Sequence, residues 1–447
     1  MMIRELRREM REIGIFGGRI AISEVILFSI FLADILMLGL IDEISLSAAL
    51  LVNSTFVLFF VTALGFLQGA LPLASAHWEK ADKPRFFATV MGSLIIAALI
   101  AGGVVTLFAG YVPLLRMLGF ADDLLAEAQR YIIFILPGYA LAFLYIAVRN
   151  AVIATGDSSD FMTLSLSALL LNVGLNWVLG FGVSVASITI PGLGIAGIGL
   201  ASSLVEIFLL TGFTLLLWRT GFRPVRMARD QMRQVIGEQC RLGLPVGVLF
   251  FVDSTLFSAI LIIVGRHDVQ GMAALALIFE WIALAVMVPV GLSEAIIQRV
   301  SALRASGGSF QILVMACMCL SGLYLAVLAL IQFGFGINMP ALFILEGEAH
   351  PALMLLLNEY ALMGFGVAIM YSHVIIVAGI LRGLLDVMAS MIAVVLCYWV
   401  VGIGLTLIFV EIMGLGSRHA LIAVLLSAVL AALSISWQLH RSGRKFG

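Results

Sequence analysis

The stretch IAISEVILFSIFLADILMLGL, Ile20–Leu40, decides how the rest of the chain is read. As a helix it is long enough to cross the hydrocarbon core of a bilayer, which takes about 20 mostly apolar residues. It also carries Asp34 near its middle. An ionised, unpaired carboxylate at that depth costs several kcal/mol, so an intramembrane acid points first to function, commonly a proton or cation relay.

Ile20–Leu40 is the first of about twelve such stretches. Hydropathy predicts spans near 14–40, 45–73, 86–112, 124–153, 160–183, 193–217, 242–265, 271–298, 309–335, 352–381, 387–413 and 418–440. The runs are too long for barrel strands and do not alternate, which excludes a transmembrane β-barrel. Composition agrees: 62% of the residues are hydrophobic and 11% are charged, where soluble domains carry about 25% charged residues. The fold class predicted is an all-α polytopic membrane protein. A net charge of −1 gives no sign of nucleic-acid binding. The four cysteines imply no disulfide framework, and Cys317-x-Cys319 reads as small apolar packing inside a helix. No cleaved signal peptide is read at the charged N-terminus.

Basic residues set the orientation. Arg4, Arg7, Arg8 and Arg11 precede the first span, Lys80, Lys83 and Arg85 follow the second, and Arg299 and Arg304 follow the eighth. Arg441, Arg444 and Lys445 end the chain, and the alternate loops are acidic at Asp42, Glu43, Asp122, Asp123, Glu346 and Glu348. Both termini are therefore expected in the cytoplasm. The basic stretch 219–241 lies near the midpoint. It reads as a cytoplasmic linker on anionic lipid, dividing an N-lobe (1–218) from a C-lobe (242–447). The halves echo one another. Gly39 and Ser47-Ala48-Ala49-Leu50 match Gly265 and Met272-Ala273-Ala274-Leu275, and Val148-Arg149-Asn150 matches Leu381-Arg382-Gly383. Parallel repeats of this kind suit a substrate site near the midplane and alternating access.

Five segments carry a resemblance to a family: FLADILMLGLIDEISLSAALLVNS around Asp34, LLLNVGLNWVLGFG at 169–182, GLGIAGIGLASS at 192–203, GLPVGVLFFVDSTLF at 243–257 and GILRGLLD at 379–386. In order and spacing they resemble the multidrug and toxic compound extrusion (MATE) family, closest to its NorM-like bacterial branch, across the whole chain. The resemblance implies two pseudo-symmetric six-helix lobes in a V around a central cavity. It also implies an antiporter that exports amphipathic, often cationic, drugs in exchange for H⁺ or Na⁺, with no cofactor, working as a monomer in lipid. Carried over from the family, the N-lobe coupling site is Asp34, Asn172, Asn176 and Ser202, with Ser in place of the usual Thr. Asn172 and Asn176 share a helix face at i,i+4. A carboxylate, two amide oxygens and a hydroxyl suit a hard cation such as Na⁺; the same groups also suit hydrogen bonds to a protonated Asp34.

In the C-lobe the resemblance places Asp253 where the NorM-like branch has a Glu. That branch pairs the Glu with an Asp at the position of Tyr371 and has a Tyr at that of Val367. The carboxylate pair is thus absent, which tilts the expectation from Na⁺ toward protons. His373, two residues on, is a candidate contact for Asp253 in a proton relay.

The chain has further acids at membrane depth. Glu24, Glu206, Glu280 and Glu294 are candidates, with Tyr371 and His373, for lining the cavity and attracting organic cations. Arg19 stands at the family's span-1 Pro and is expected to snorkel to the interface or pair with Glu24. Arg149, Arg382 and Asp386 read as structural groups at helix ends. Two rival functions stay open. A flippase for lipid-linked precursors, in the same superfamily, calls for a cationic cavity. A membrane-embedded enzyme calls for a metal cluster or activated serine; the six His are scattered and no H-E-x-x-H or G-x-S-x-G motif occurs.

Overall fold

A computed structural model describes residues 2–185, 188–225, 229–307, 311–343 and 351–446. Arg226, Glu346, Glu348 and His350 lie outside the described residues. Twelve helices among the described residues are long and apolar enough to cross a membrane. They are α1 (Arg4–Gly39), α2 (Glu43–Glu79), α3 (Lys83–Ala109), α4 (Asp122–Ala154), α5 (Phe161–Phe181), α6 (Ile195–Arg219), α7 (Arg229–Gly265), α8 (Val269–Ser306), α9 (Gln311–Gly334), α10 (Pro351–Gly383), α11 (Met388–Ile412) and α12 (Ser417–Ser442). An antiparallel hairpin, β1 (Gly182–Val185) and β2 (Ile188–Pro191), joins α5 to α6, with Gly182 opposite Pro191.

Local chemistry sets the helix ends. Asp42 and Asp268 cap α2 and α8 by accepting from the backbone N–H three residues on, Ser45 and Gly271. They stand at matching places in the two halves, three residues after Gly39 and Gly265. Asp82 caps α3 through Arg85 N, and Pro84 occupies the first turn, where its missing N–H is harmless. The Ser45 backbone and hydroxyl bonds hold the exposed Asp42 carboxyl below the usual range.

The chain forms two compact units, Ile22–Gly247 and Met1–Ala21 with Val248–Gly447. In each, the fourth helix of its half is the most enclosed. The most apolar window of α4 is 61% buried and that of α10 is 72%, against 28–50% for the other helices. Around α4 an aromatic group forms in which Phe56 stacks on Tyr139 and Phe143 and Phe60 pack alongside. Around α10, Trp281 packs on Phe365 and Phe333 closes on the same ring.

These boundaries differ from lobes 1–218 and 242–447, and close packing at glycines gives the reason. The start of α1 belongs with the second unit. A Cβ on Gly17 would meet Leu292 Cδ2 at 3.0 Å, and one on Gly291 would meet Ala21 Cα at 2.4 Å. Arg299 also reaches Glu9 and Glu12 at 3.5 and 3.1 Å. The start of α7 belongs with the first unit. A Cβ on Gly243 would lie 2.2 Å from Phe66 O, and Gln239, 2% exposed, donates to Thr89 O at 2.6 Å. Residues 229–241 are therefore the opening turns of α7, packed on α2 and α3, and not a free-standing linker.

Candidate ion-coupling site

In the first unit, α1, α5 and α6 bring together the four residues expected at the N-lobe site. Asp34 is 7% exposed. Its Oδ1 accepts from Asn172 Nδ2 at 2.9 Å and Asn176 Nδ2 at 2.6 Å, and its Oδ2 accepts from Ser202 Oγ at 2.8 Å. Asn176 Nδ2 also reaches Asn172 Oδ1 at 3.2 Å. Asn176 begins a π-helical turn, Asn176–Phe181, a local widening that often marks functional positions.

Small residues let the helices close on this point. A Cβ on Gly197 would stand 2.1 Å from Leu179 O, and one on Gly138 would stand 2.8 Å from Ser203. Ser203 Oγ accepts from Gly138 N–H and donates to Phe134 O. These two groups are an i→i−4 pair of α4, and the serine hydroxyl bonds both of them beside Pro137. Ser203 was not anticipated from sequence; its adjacency to Ser202 was the one signal. Nor was Asn53, whose Oδ1 accepts from the Tyr131 and Tyr139 hydroxyls.

Two features distinguish the site from an ordinary helix clamp. Among the described residues no basic side chain pairs with Asp34, so its charge is met by neutral dipoles alone. In addition, the buried Asn176 Oδ1 has no hydrogen-bond partner. An orphaned acceptor oxygen beside a carboxylate, a second amide oxygen and a hydroxyl suits a small hard cation. Proton exchange is equally available. Ser202 Oγ also lies 3.0 Å from Ile198 O, so its hydrogen can turn there while the oxygen accepts from a protonated Asp34.

In the second unit, Asp253 on α7 faces the hydroxyls of Tyr371 on α10 and Tyr398 on α11. The two phenol rings stack with centroids 5.1 Å apart and planes 6° apart. Asp253 Oδ1 and both hydroxyls are buried without a geometrically satisfied hydrogen bond. Tyr398 was missed in the sequence because it sits in an apolar run with nothing to single it out. Val367 is fully buried in the apolar core. His373 does not join Asp253; its Nε2 lies 2.7 Å from Ser436 Oγ. Residues two apart point to different sides of a helix, so a helix that turns Tyr371 toward Asp253 turns His373 toward α12.

The other acids separate. Glu24 pairs with the buried Arg149, not with Arg19, which is exposed. Arg149 also lies over the Phe161 ring at 5.8 Å. Glu294, 2% exposed, sits within electrostatic reach of the buried Arg382, which lies over Phe250 at 5.9 Å and donates to Ser293 Oγ at 3.2 Å. Asp386 Oδ2 accepts from Ser442 Oγ at 2.5 Å. Glu24 and Glu294 are thus matched to arginines and are not free cavity acids. Glu280 is exposed on α8, and Glu206 lies on α6 one turn beyond Ser202.

Comparison with known proteins agrees with this architecture. The MatE family model matches residues 20–178. The multidrug resistance protein PmpM of Pseudomonas aeruginosa is 25% identical over 99% of this chain and 93% of its own length. A protein of Geobacillus kaustophilus named "Probable multidrug resistance protein NorM" is 25% identical over 95% of this chain and 94% of its own. Among solved structures, the eukaryotic MATE transporter AtDTX14 superposes with a TM-score of 0.86 at 16% identity, covering 99% of both chains.

The twelve membrane-crossing helices and the multidrug resistance relatives mark this as a multi-pass membrane transporter. The chain resembles the MATE family, by the MatE model over residues 20–178 and by NorM and PmpM proteins over almost its whole length.

Proposed function

We propose that the protein is a multidrug efflux antiporter that exports amphipathic, often cationic, organic compounds by alternating access, driven by an inward flow of protons. The observation that carries the coupling half of this reading is the Asp34 shell with its unpartnered Asn176 Oδ1. An ion entering there rearranges hydrogen bonds on α1, α5 and α6 together. It drives the cycle because it binds the two access states unequally. The drug-resistance names of the relatives support the substrate class. Glu280 is the acid best placed to meet a cationic substrate, since it is exposed and, among the described residues, no side chain is bonded to it.

Protons are favoured over Na⁺ by the second unit, where Asp253 faces two phenols and no second carboxylate. A lone carboxyl among hydroxyls suits a proton better than a metal cation, which gathers several charged or carbonyl oxygens. The basic-residue pattern supports an inner-membrane protein with cytoplasmic termini. The buried arginines, each engaged with an acid, speak against a pyrophosphate-binding flippase.

The test is flux of a fluorescent organic cation in proteoliposomes under a proton gradient or a Na⁺ gradient, with wild type and Asp34→Asn side by side. Proton-driven flux lost in the variant is expected. Flux driven by Na⁺ alone would reassign the ion. Gradient-driven flux that survives Asp34→Asn would remove the coupling role of Asp34, and no flux in wild type would redirect the search to lipid-linked substrates.

A further inference from the structure

Glu206 is the acid that the Asp34 site leaves unexplained. It lies on α6 at i,i+4 from Ser202, on the same helix face, and Ser202 Oγ is the group that donates to Asp34 Oδ2 at 2.8 Å. Its Oε2 is buried with no hydrogen-bond partner. Among the described residues, Asp34 is the charged side chain within electrostatic reach of Glu206. Among the described residues, the neighbouring helices offer no cation. Facing α6 from α4 are Tyr131, bonded to Asn53, and Tyr145, packed on Phe213. Arg149 of α4 is engaged with Glu24 on α1. From α5 the facing polar groups are the neutral amides Asn172 and Asn176.

Two carboxyls within electrostatic reach of one another, at membrane depth and with no basic side chain between them, cannot both stay charged once a cationic drug has left. A merely structural acid would have found a donor, as Glu24 and Glu294 have. We propose that Glu206 is the second acidic group of the Asp34 site, so that each transport cycle exchanges two protons, one on each carboxyl. This rests on the antiporter reading above. In the loading step one proton from the outer aqueous phase adds to an Asp34 carboxylate oxygen and one to Glu206 Oε2, giving two neutral acids. Both protons leave to the cytoplasm before drug binds again. Ser202 joins the pair, since its hydroxyl donates to Asp34 when that group is charged and can turn to Ile198 O when it is not.

The experiment measures static-head accumulation of a monovalent fluorescent cation in proteoliposomes, with voltage clamped by potassium and valinomycin and the pH gradient varied. The logarithm of the accumulation ratio should rise with the pH difference with a slope of about two in wild type and about one in Glu206→Gln. Glu206→Asp, which keeps the carboxyl, should restore a slope near two. A slope unchanged by Glu206→Gln would overturn the proposal while leaving the antiporter reading intact. Absence of proton-driven accumulation in wild type would instead overturn that reading. Should Glu206→Gln fail to fold, proton release on drug binding by detergent-solubilised wild type, read with a pH indicator in weak buffer, decides the matter. About two protons per protein support the pair, and one or fewer rejects it.

Discussion

Tyr371 lies flat against Tyr398, ring planes 6° apart, and both hydroxyls face Asp253. Where the NorM-like branch is expected to hold two carboxylates, this chain holds one carboxyl and a pair of phenols. Tyr371→Asp should therefore create a cation site. The variant's melting temperature in detergent should rise when choline chloride is replaced by NaCl at equal ionic strength, by mass action on the folded state. Wild type should show no such difference. A sodium effect of equal size in both proteins would place Na⁺ somewhere other than this cluster.

The Arg149–Glu24 pair sits in a site where the arginine side chain is 3% exposed and the glutamate 22%. Removing one partner strands the other. Arg149→Met alone should cost about 3–5 kcal/mol, toward the low end because Glu24 keeps some access to water, while Arg149→Met with Glu24→Gln should recover most of it. Chemical denaturation of the purified protein in detergent measures both. Equal losses in the single and double variants would mean that the arginine acts by packing and not by charge.

Gly243 and Gly237 lie on the same helix, in opposite circumstances. A Cβ at Gly243 would meet Phe66 O at 2.2 Å, whereas one at Gly237 would meet nothing within 4 Å. Gly243→Ala should destabilise by about 1–3 kcal/mol through overpacking. Gly237→Ala should stabilise by up to about 1 kcal/mol through helix propensity. Thermal melts of the two variants should shift in opposite directions; a shift in the same direction would contradict the close approach of α7 to α2.

Asp42 caps α2, and its carboxyl is held below the ordinary value by the Ser45 bonds. A lowered folded value means that the stabilisation is complete above the unfolded value, 3.8, and fades as pH falls through the folded one. Asp42→Ala should cost about 1 kcal/mol at pH 7, as typical caps do, or somewhat less because the site is exposed. The gap between wild-type and variant melts should narrow as the pH is lowered past 3.8. A gap that is constant with pH would show that the carboxylate charge contributes nothing.

Much of this was legible in the sequence, because lipid imposes a long, uninterrupted signal: each of the twelve helices overlaps a predicted span, although α1 and α7 start well before theirs, at Arg4 and Arg229, and α8 ends beyond its own, at Ser306. Asp34, Asn172, Asn176 and Ser202 were found through the family resemblance and converge as it implied. What sequence could not give were the pairings decided by rotation and depth. Glu24 is closest in sequence to Arg19, yet its partner lies 125 residues away on α4. His373 is two residues from Tyr371, yet it serves another helix. The unit boundaries were also hidden, since hydropathy runs on unbroken through Ala21 while the neighbours it packs against change.

The split ownership of α1 has a consequence for how the protein is made. Ile22–Gly247 is one continuous stretch and can complete its packing as synthesis proceeds. The other unit cannot. Residues 4–21 leave the ribosome well before Leu292, Ala295 and Arg299, which cover Gly17 and hold Glu9 and Glu12. Until then the charged, amphipathic start of α1 has no protein surface to rest on. The second unit is thus finished by residues made long before the rest of it, which makes residues 4–21 a late-assembling part of the molecule and a poor place to cut.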